Sequence, residues 1–264
     1  MQVQQVSLTD DLQPARNDMK VLTLDIETAP LLVHRWSMYG DTPVGLNQLL
    51  ETTRVMCFAG KWLGKKQVLF YSEHHDGHEV MIQKAWDLMN EADVITTFNG
   101  ISFDIKHLQR EFILAGLTPP SPWRNVDLLR TVRQEFKFAS SKLDHVAHQL
   151  GVGSKVKHEG HGLWVACMEG DESAWRRMRK YCKHDVLLTE QVMEILGSWI
   201  KNYPHVGLYS GEERCCFRCG STKLKQDGFT RTALTTYAKL RCEKCGAWSR
   251  LNNRKGNVTA RPAR

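Results

Sequence analysis

The rhythm of apolar and polar positions changes repeatedly along the 264 residues. Val21 to Ile26 (VLTLDI) is an apolar, β-branched run broken by one acid, which predicts a buried central strand. Arg54 to Trp62 and Gln67 to Tyr71 read as two further strands joined by the turn residues Gly64-Lys65-Lys66, so the chain opens with three antiparallel strands. Glu79 to Met89 then carries Val80, Met81, Ala85, Leu88 and Met89 at helical spacing, and Val94 to Phe98 returns to strand. A helix from Phe103 to Leu117 follows, closed by Gly116 and Pro119-Pro120. Val126 to Leu129 predicts a short strand, and Leu143 to Leu150 a helix stopped by Gly151. Asp171 reads as the cap of a helix running to about Lys183, and Leu188, Val192, Ile195, Leu196 and Trp199 as the inward stripe of a separate last helix. The order βββαβαβαα predicts an α/β fold: a mixed five-stranded sheet flanked by helices.

Helical rhythm stops between Asn202 and Gly211 (NYPHVGLYSG), where turn residues dominate. The expected layout is a flexible N-terminal segment 1–19, a main domain 20–201, a linker 202–211, a small domain 212–255 and a basic tail 256–264. The start is polar and no apolar run approaches the length of a membrane span, so neither secretion nor a membrane partner is expected, and the expected location is cytoplasmic, bacterial or phage-infected. Charge sharpens the division. Residues 201–264 hold 14 Lys and Arg against 4 acids, a balance of +10, whereas the rest of the chain carries −3. A strongly basic end on a mildly acidic body points to a polyanionic partner, with a merely soluble surface as the alternative.

Three acidic elements stand at element boundaries. Asp25 and Glu27 lie two apart at the end of the first strand, hence on one side of the sheet. In Asn99-Gly100-Ile101-Ser102-Phe103-Asp104 a strand ends in an Asn-Gly turn and an acid enters the next helix, where it also suits the helix dipole. Tyr181-Cys182-Lys183-His184-Asp185 puts a phenol and a carboxylate four residues apart, on one helix face. In this order the three resemble the exonuclease motifs of the DEDD superfamily of 3′ to 5′ exonucleases, which share the ribonuclease H-like fold. The Tyr-x3-Asp form of the last is similar to the tyrosine subclass, which includes the proofreading domains of family B DNA polymerases and stand-alone phage and bacterial enzymes. The histidine subclass has a His five positions before the last Asp, where this chain has Lys180. The resemblance spans Lys20 to Ile200, including Leu143 to Gly151.

The resemblance implies two Mg²⁺ or Mn²⁺ ions held by Asp25, Glu27, Asp104 and Asp185. Asp25 would bridge both, Glu27 and Asp185 would hold the ion that activates water, and Asp104 would anchor the other. Hard divalent ions prefer such oxygen donors. Tyr181 would orient the attacking water. Asn99 reads as a helix cap or a contact to the terminal nucleotide. Trp36, Met38 and Tyr39 read either as stacking platforms or as packing over the sheet. Lys155, Lys157, His158 and His161 form a loop that can touch phosphate or stay solvated, and they stand outside the catalytic set.

Five of the eight cysteines crowd into 31 residues. Cys216-x-x-Cys219 and Cys242-x-x-Cys245 are separated by 22 residues and each is followed by glycine, the spacing of one structural Zn²⁺ site. Cys215 can substitute for Cys216 or stay free, while Cys57, Cys167 and Cys182 read as small buried hydrophobes. The segment resembles the zinc ribbons of some transposases and nucleic-acid enzymes. Its basic residues interleave with Phe229, Tyr237 and Trp248, suiting phosphate contact and stacking, with docking of a replication or repair protein as the rival. The expected function is a two-metal 3′ to 5′ exonuclease on nucleic acid, single-stranded DNA favoured over RNA. An idle binding module and an endonuclease or resolvase on the same fold are the alternatives.

Overall fold

The computed structural model describes residues 19–37 and 43–258. Met38, Tyr39, the segment 1–18 and the end of the basic tail lie outside the described residues. Two compact units divide between Gly197 and Ser198.

The first unit holds β1 (Val21–Thr28), a short pair β2 (Leu32–Val33) and β3 (Leu49–Glu51), β4 (Val55–Trp62), β5 (Leu69–Ser72), α1 (Glu73–Asp76), α2 (His78–Glu91) and β6 (Val94–Thr97). It continues with α3 (Asp104–Leu114), β7 (Arg124–Asp127), α4 (Leu128–Glu135), α5 (Leu143–Gln149), α6 (His161–Met168) and α7 (Glu172–Leu196). Five strands form a mixed sheet in the order β5-β4-β1-β6-β7. β1 runs antiparallel to β4 and parallel to β6, and β6 is parallel to β7. This is the mixed five-stranded sheet flanked by helices that the sequence predicts.

Alternation along β1 decides where the chemistry goes. Leu22, Leu24 and Ile26 join Met81, Ile82, Ala85, Leu108 and Phe112 in a core between the sheet and α2 and α3. The intervening residues, Thr23, Asp25 and Glu27, therefore face the other side. There α6 and α7 pack Leu163, Trp175, Met178, Tyr181 and Cys182 over Cys57 and Ala59. Cys57, Cys167 and Cys182 are buried, as expected of apolar thiols. A Lys61–Glu190 ion pair, with both side chains buried, joins β4 to α7.

Three of the differences from expectation bear on the face that carries the acids. The two last helices are one, α7, 25 residues long from its Asp171 cap, because no Gly or Pro interrupts residues 172–196. Val126 to Leu129 is half strand and half helix: Asp127 closes β7 and its side chain accepts from Leu129 N, capping α4. A further helix, α6, follows the Lys155–His158 loop.

The second unit carries α8 (Gly207–Ser210) and β8 (Leu224–Arg231), β9 (Thr235–Cys242) and β10 (Trp248–Asn257), in the antiparallel order β10-β9-β8. Its small core consists of Cys216, Cys242 and Ala247 with Phe217, Cys219, Leu224 and Cys245 around them. Tyr203, buried, lies under the guanidinium of Arg218 at 4.3 Å.

Candidate active site

Asp25 and Glu27 at the end of β1 meet Asp185 on α7: one carboxylate oxygen from each lies within 4.8 Å of the others. Asp104, the first residue of α3, comes in from the side. Its Oδ1 accepts from Ile26 N at 3.0 Å, which fixes it against the strand between the two acids. Tyr181 stands one helical turn before Asp185, largely buried, its ring edge-on to His158 and Trp164. The five residues picked out by motif thus converge on one place, with Asp104 on β1 rather than within the tight three-acid group.

The turn that delivers Asp104 is tied down by Asp127. Its carboxylate accepts from Asn99 N at 2.9 Å and Ile101 N at 3.3 Å. Asn99 adopts a left-handed backbone, φ 78°. The expected capping role of its side chain is not found: Phe103 occupies the cap position and no side-chain cap bond is made. Gly100 is required by close approach, since a Cβ there would lie 2.3 Å from Thr97 Oγ1.

Electrostatics mark the cluster as short of positive charge. Burial first, and then the charges of Asp104, Glu27 and Asp185, hold the Asp25 carboxyl well above its usual range. Burial pushes Glu27 up to about 8, and burial pushes Asp104 up to about 7. Tyr181 is raised by burial and by Asp185. Asp185 is fully buried, and its Oδ1 has no hydrogen-bond partner. A buried carboxylate oxygen left unpartnered is costly, and a bound cation satisfies it.

Lys155, set aside by the sequence reading, reaches into this cluster. Its Nζ pairs with Asp185 Oδ2 and donates to Tyr181 OH at 2.9 Å. The loop is placed by Asp144 on α5, whose Oδ1 accepts from Lys155 N, and by His184, which bonds to Ser154 O. No spacing signal marks such a lysine, because it approaches through a loop without periodicity. A cavity of about 560 Å³ opens beside Asp25 and Lys155, lined also by Phe98, Asn99, Leu129, Arg133 and Lys142. Trp36 is fully exposed, not packed over the sheet.

The second unit builds a different donor set. Cys216, Cys219, Cys242 and Cys245 bring their sulfurs within 4.8 Å of one another, at 3.6 Å for Cys216–Cys245 and 3.7 Å for Cys219–Cys242. Tetrahedral thiolate coordination with bonds of about 2.3 Å sets an edge of about 3.8 Å. The two Cys-x-x-Cys turns repeat one another: Gly220 N donates to Cys216 O and Gly246 N to Cys242 O, both at 3.0 Å, with φ of 69° and 72° at the glycines. Cys215 stands apart, its Sγ toward Glu212 O.

The RNase_H_2 model of the RNase_H superfamily matches residues 45–197, more than half of the chain. The chain therefore belongs to the RNase H superfamily. The match includes Asp104, Tyr181 and Asp185 and begins after Asp25 and Glu27. Among solved structures, the family B DNA polymerase from the hyperthermophilic archaeon Pyrobaculum calidifontis is similar at 18% identity and a TM-score of 0.51, over 82% of this chain and 31% of that one. The chain thus spans about a third of that polymerase, and the likeness is one of fold. No curated protein matches. Superfamily membership and an acid cluster beside a cavity point to a nuclease. Among the described residues, no helix is long and apolar enough to cross a membrane.

Proposed function

We propose that this protein is a metal-dependent 3′ to 5′ exonuclease of the tyrosine type, acting on single-stranded DNA in preference to RNA. The observation that carries the reading is the orphaned Oδ1 of Asp185 inside a group of carboxylates raised by burial and by one another. That set fits Mg²⁺ or Mn²⁺, and Asp25, Glu27, Asp104 and Asp185 would hold the ions. When bound, such ions supply an activated water and neutralise charge on the phosphate. Tyr181 OH orients the water as a positioning group, because a phenol raised above its ordinary pKa is no base at neutral pH. Lys155 places its ammonium beside the scissile phosphate, while Phe98 and Leu129 give the cavity an apolar wall for a base. Asp127, through the 99–101 turn, holds Asp104 in position.

The four cysteines take one structural Zn²⁺, leaving no open position for chemistry. The sheet beside them supports a role in holding substrate. Period-two alternation puts Tyr237, Lys239 and Arg241 on one face of β9, and pairing adds Trp248 and Arg250 from β10. Lys239 and Arg241 lie over the Trp248 ring at 4.8 and 5.8 Å, and Arg250 over Tyr237 at 4.2 Å. Cations beside the exposed Trp248 and half-buried Tyr237 rings on one face suit a single strand, phosphates and bases alternately.

The test is digestion of 5′-labelled single-stranded DNA and RNA with and without Mg²⁺ or Mn²⁺. A ladder shortening from the 3′ end, dependent on the ion and abolished in Asp104→Asn, is expected. Internal cuts, or cleavage indifferent to divalent ions, overturn the reading. Elemental analysis of protein purified under reducing conditions is expected to find zinc, and its loss in Cys219→Ser with Cys245→Ser assigns it to the four thiols.

A further inference from the structure

A third group of donors lies in the first unit, apart from the acids and from the cysteines. His74 and His75, on α1, direct their Nε2 atoms at Glu172, the first residue of α7. His74 Nε2 is 3.1 Å from Glu172 Oε1 and His75 Nε2 is 3.5 Å from Oε2. Taking one atom from each residue, all three donors lie within 4.8 Å of one another. Bonds of about 2.1 Å to one ion set donor separations of about 3.0–3.4 Å, in octahedral or tetrahedral geometry.

The rings are held in place rather than free on the surface. His75 Nδ1 bonds Ser72 Oγ at 2.8 Å, which orients the ring and leaves Nε2 for another partner. Metal-binding imidazoles are fixed in the same way, through the second nitrogen. His74 stacks on the Trp175 indole, with centroids 5.3 Å apart and planes 9° from parallel. That indole is fully buried and locked by a hydrogen bond from Nε1 to Cys167 O at 2.9 Å. An ion pair explains the convergence poorly. Each oxygen of Glu172 faces one ring, but charging both rings, with centroids 4.8 Å apart, adds repulsion. Two imidazoles and a carboxylate with one donor atom each gathered within 4.8 Å suit a single divalent ion.

We infer that His74, His75 and Glu172 form a surface site for a transition ion of the zinc class, with imidazole donors excluding Mg²⁺ and Ca²⁺. Three protein ligands leave the remaining positions to water. The ion ties the β5–α1 corner to the first turn of α7, the helix that also carries Tyr181 and Asp185. The inference is independent of the nuclease reading, and its test does not measure activity.

The full chain, its cysteine site already loaded, is dialysed against micromolar Zn²⁺ in a buffer containing Mg²⁺, and zinc per chain is measured for wild type, His74→Gln and Glu172→Gln. A loss of one equivalent in both variants is expected, together with a zinc-dependent rise in Tm that the wild type shows and the variants lack. Both substitutions are on the surface, and equal Tm values of all three proteins without added zinc confirm the fold. Should either variant melt lower in that control, the His75→Gln variant replaces it. Equal zinc content in wild type and variants overturns the site.

Discussion

Replacing Asp25 by Asn removes one of three carboxylates crowded within 4.8 Å of one another, and its effect on stability follows from the cost of burying a charge among like charges. At an effective dielectric constant of about 20, two unit charges 4.8 Å apart repel by about 3.5 kcal/mol. Asp25 has two such neighbours, and Asp104 adds to the repulsion while Lys155 offsets part of it. The folded protein escapes the full cost by taking up a proton. At pH 7 that costs about 1.36 kcal/mol for every unit above the ordinary value of 3.8, a ceiling of about 4 kcal/mol. The neutral amide has no such cost but fits the surrounding hydrogen bonds less well, so a net gain of about 2 kcal/mol is expected for Asp25→Asn without divalent ions. For a unit of this size that is about 4–8 °C in Tm. The assay is calorimetry in Mg²⁺-free buffer without chelator, because a chelator would also strip the zinc proposed at the four thiols. Added Mg²⁺ is expected to raise the wild-type Tm and to move the variant less, while the variant hydrolyses nothing. An Asp25→Asn protein that melts at or below wild type in Mg²⁺-free buffer refutes the account of the site as a repulsive acid cluster.

The same imbalance sets a pH dependence. Glu27 is pushed from 4.5 to about 8 and Asp104 from 3.8 to about 7, so the folded state keeps protons that the unfolded chain has released, and stability of the Mg²⁺-free protein falls as pH rises from about 4 to about 8; a Tm that climbs steadily across that window contradicts it. Gly100→Ala drives a methyl to within 2.3 Å of Thr97 Oγ1, and is expected to cost about 1–3 kcal/mol in denaturant titration and to lower kcat by displacing the turn before Asp104; unchanged stability and rate would remove the turn from the positioning of the site. Tyr181→Phe deletes the hydroxyl that meets Lys155 and is expected to slow single-turnover cleavage by up to about 10²-fold with metal affinity preserved, whereas Asp185→Asn impairs both; an unchanged rate in the Phe variant excludes Tyr181 from positioning water.

What could be read from the chain, and what could not, divides along a physical line. Asp25 and Glu27 were legible because a strand repeats every two residues, so an acid pair inside an apolar run must share a face. Tyr181 and Asp185 were legible for the equivalent helical reason. Four of the five strands were legible because each is apolar or β-branched and bounded by turn residues, while β7, Arg124–Asp127, holds a single apolar residue. Misreadings fall where periodicity is ambiguous. Val126-Asp127-Leu128-Leu129 suits a strand and a helix start equally, and only the bonds made by Asp127 decide. In α6, Gly162-Leu163-Trp164-Val165-Ala166-Cys167 is apolar all round, so it has no face to betray a helix.

The residues that the sequence did not place beside their partners act across long separations, and that is why local pattern was silent about those contacts. Lys155 meets an acid 30 positions away, Asp127 holds a turn 28 positions before it, and Glu172 receives histidines from 98 positions upstream. Each is a polar side chain on a loop or at an element end, where sequence alone reads solvent, a phosphate contact or a cap. The fold supplies the missing partner. Once β1 is central and α7 covers the face that bears its acids, any charged group entering that space must be matched, because an unmatched charge costs several kcal/mol there. Lys155 is the cation that the motifs did not call for, and the acids that the motifs did supply still outnumber it. That excess of negative charge, rather than the identity of any one residue, is the feature on which the proposal of divalent ions at this cluster rests.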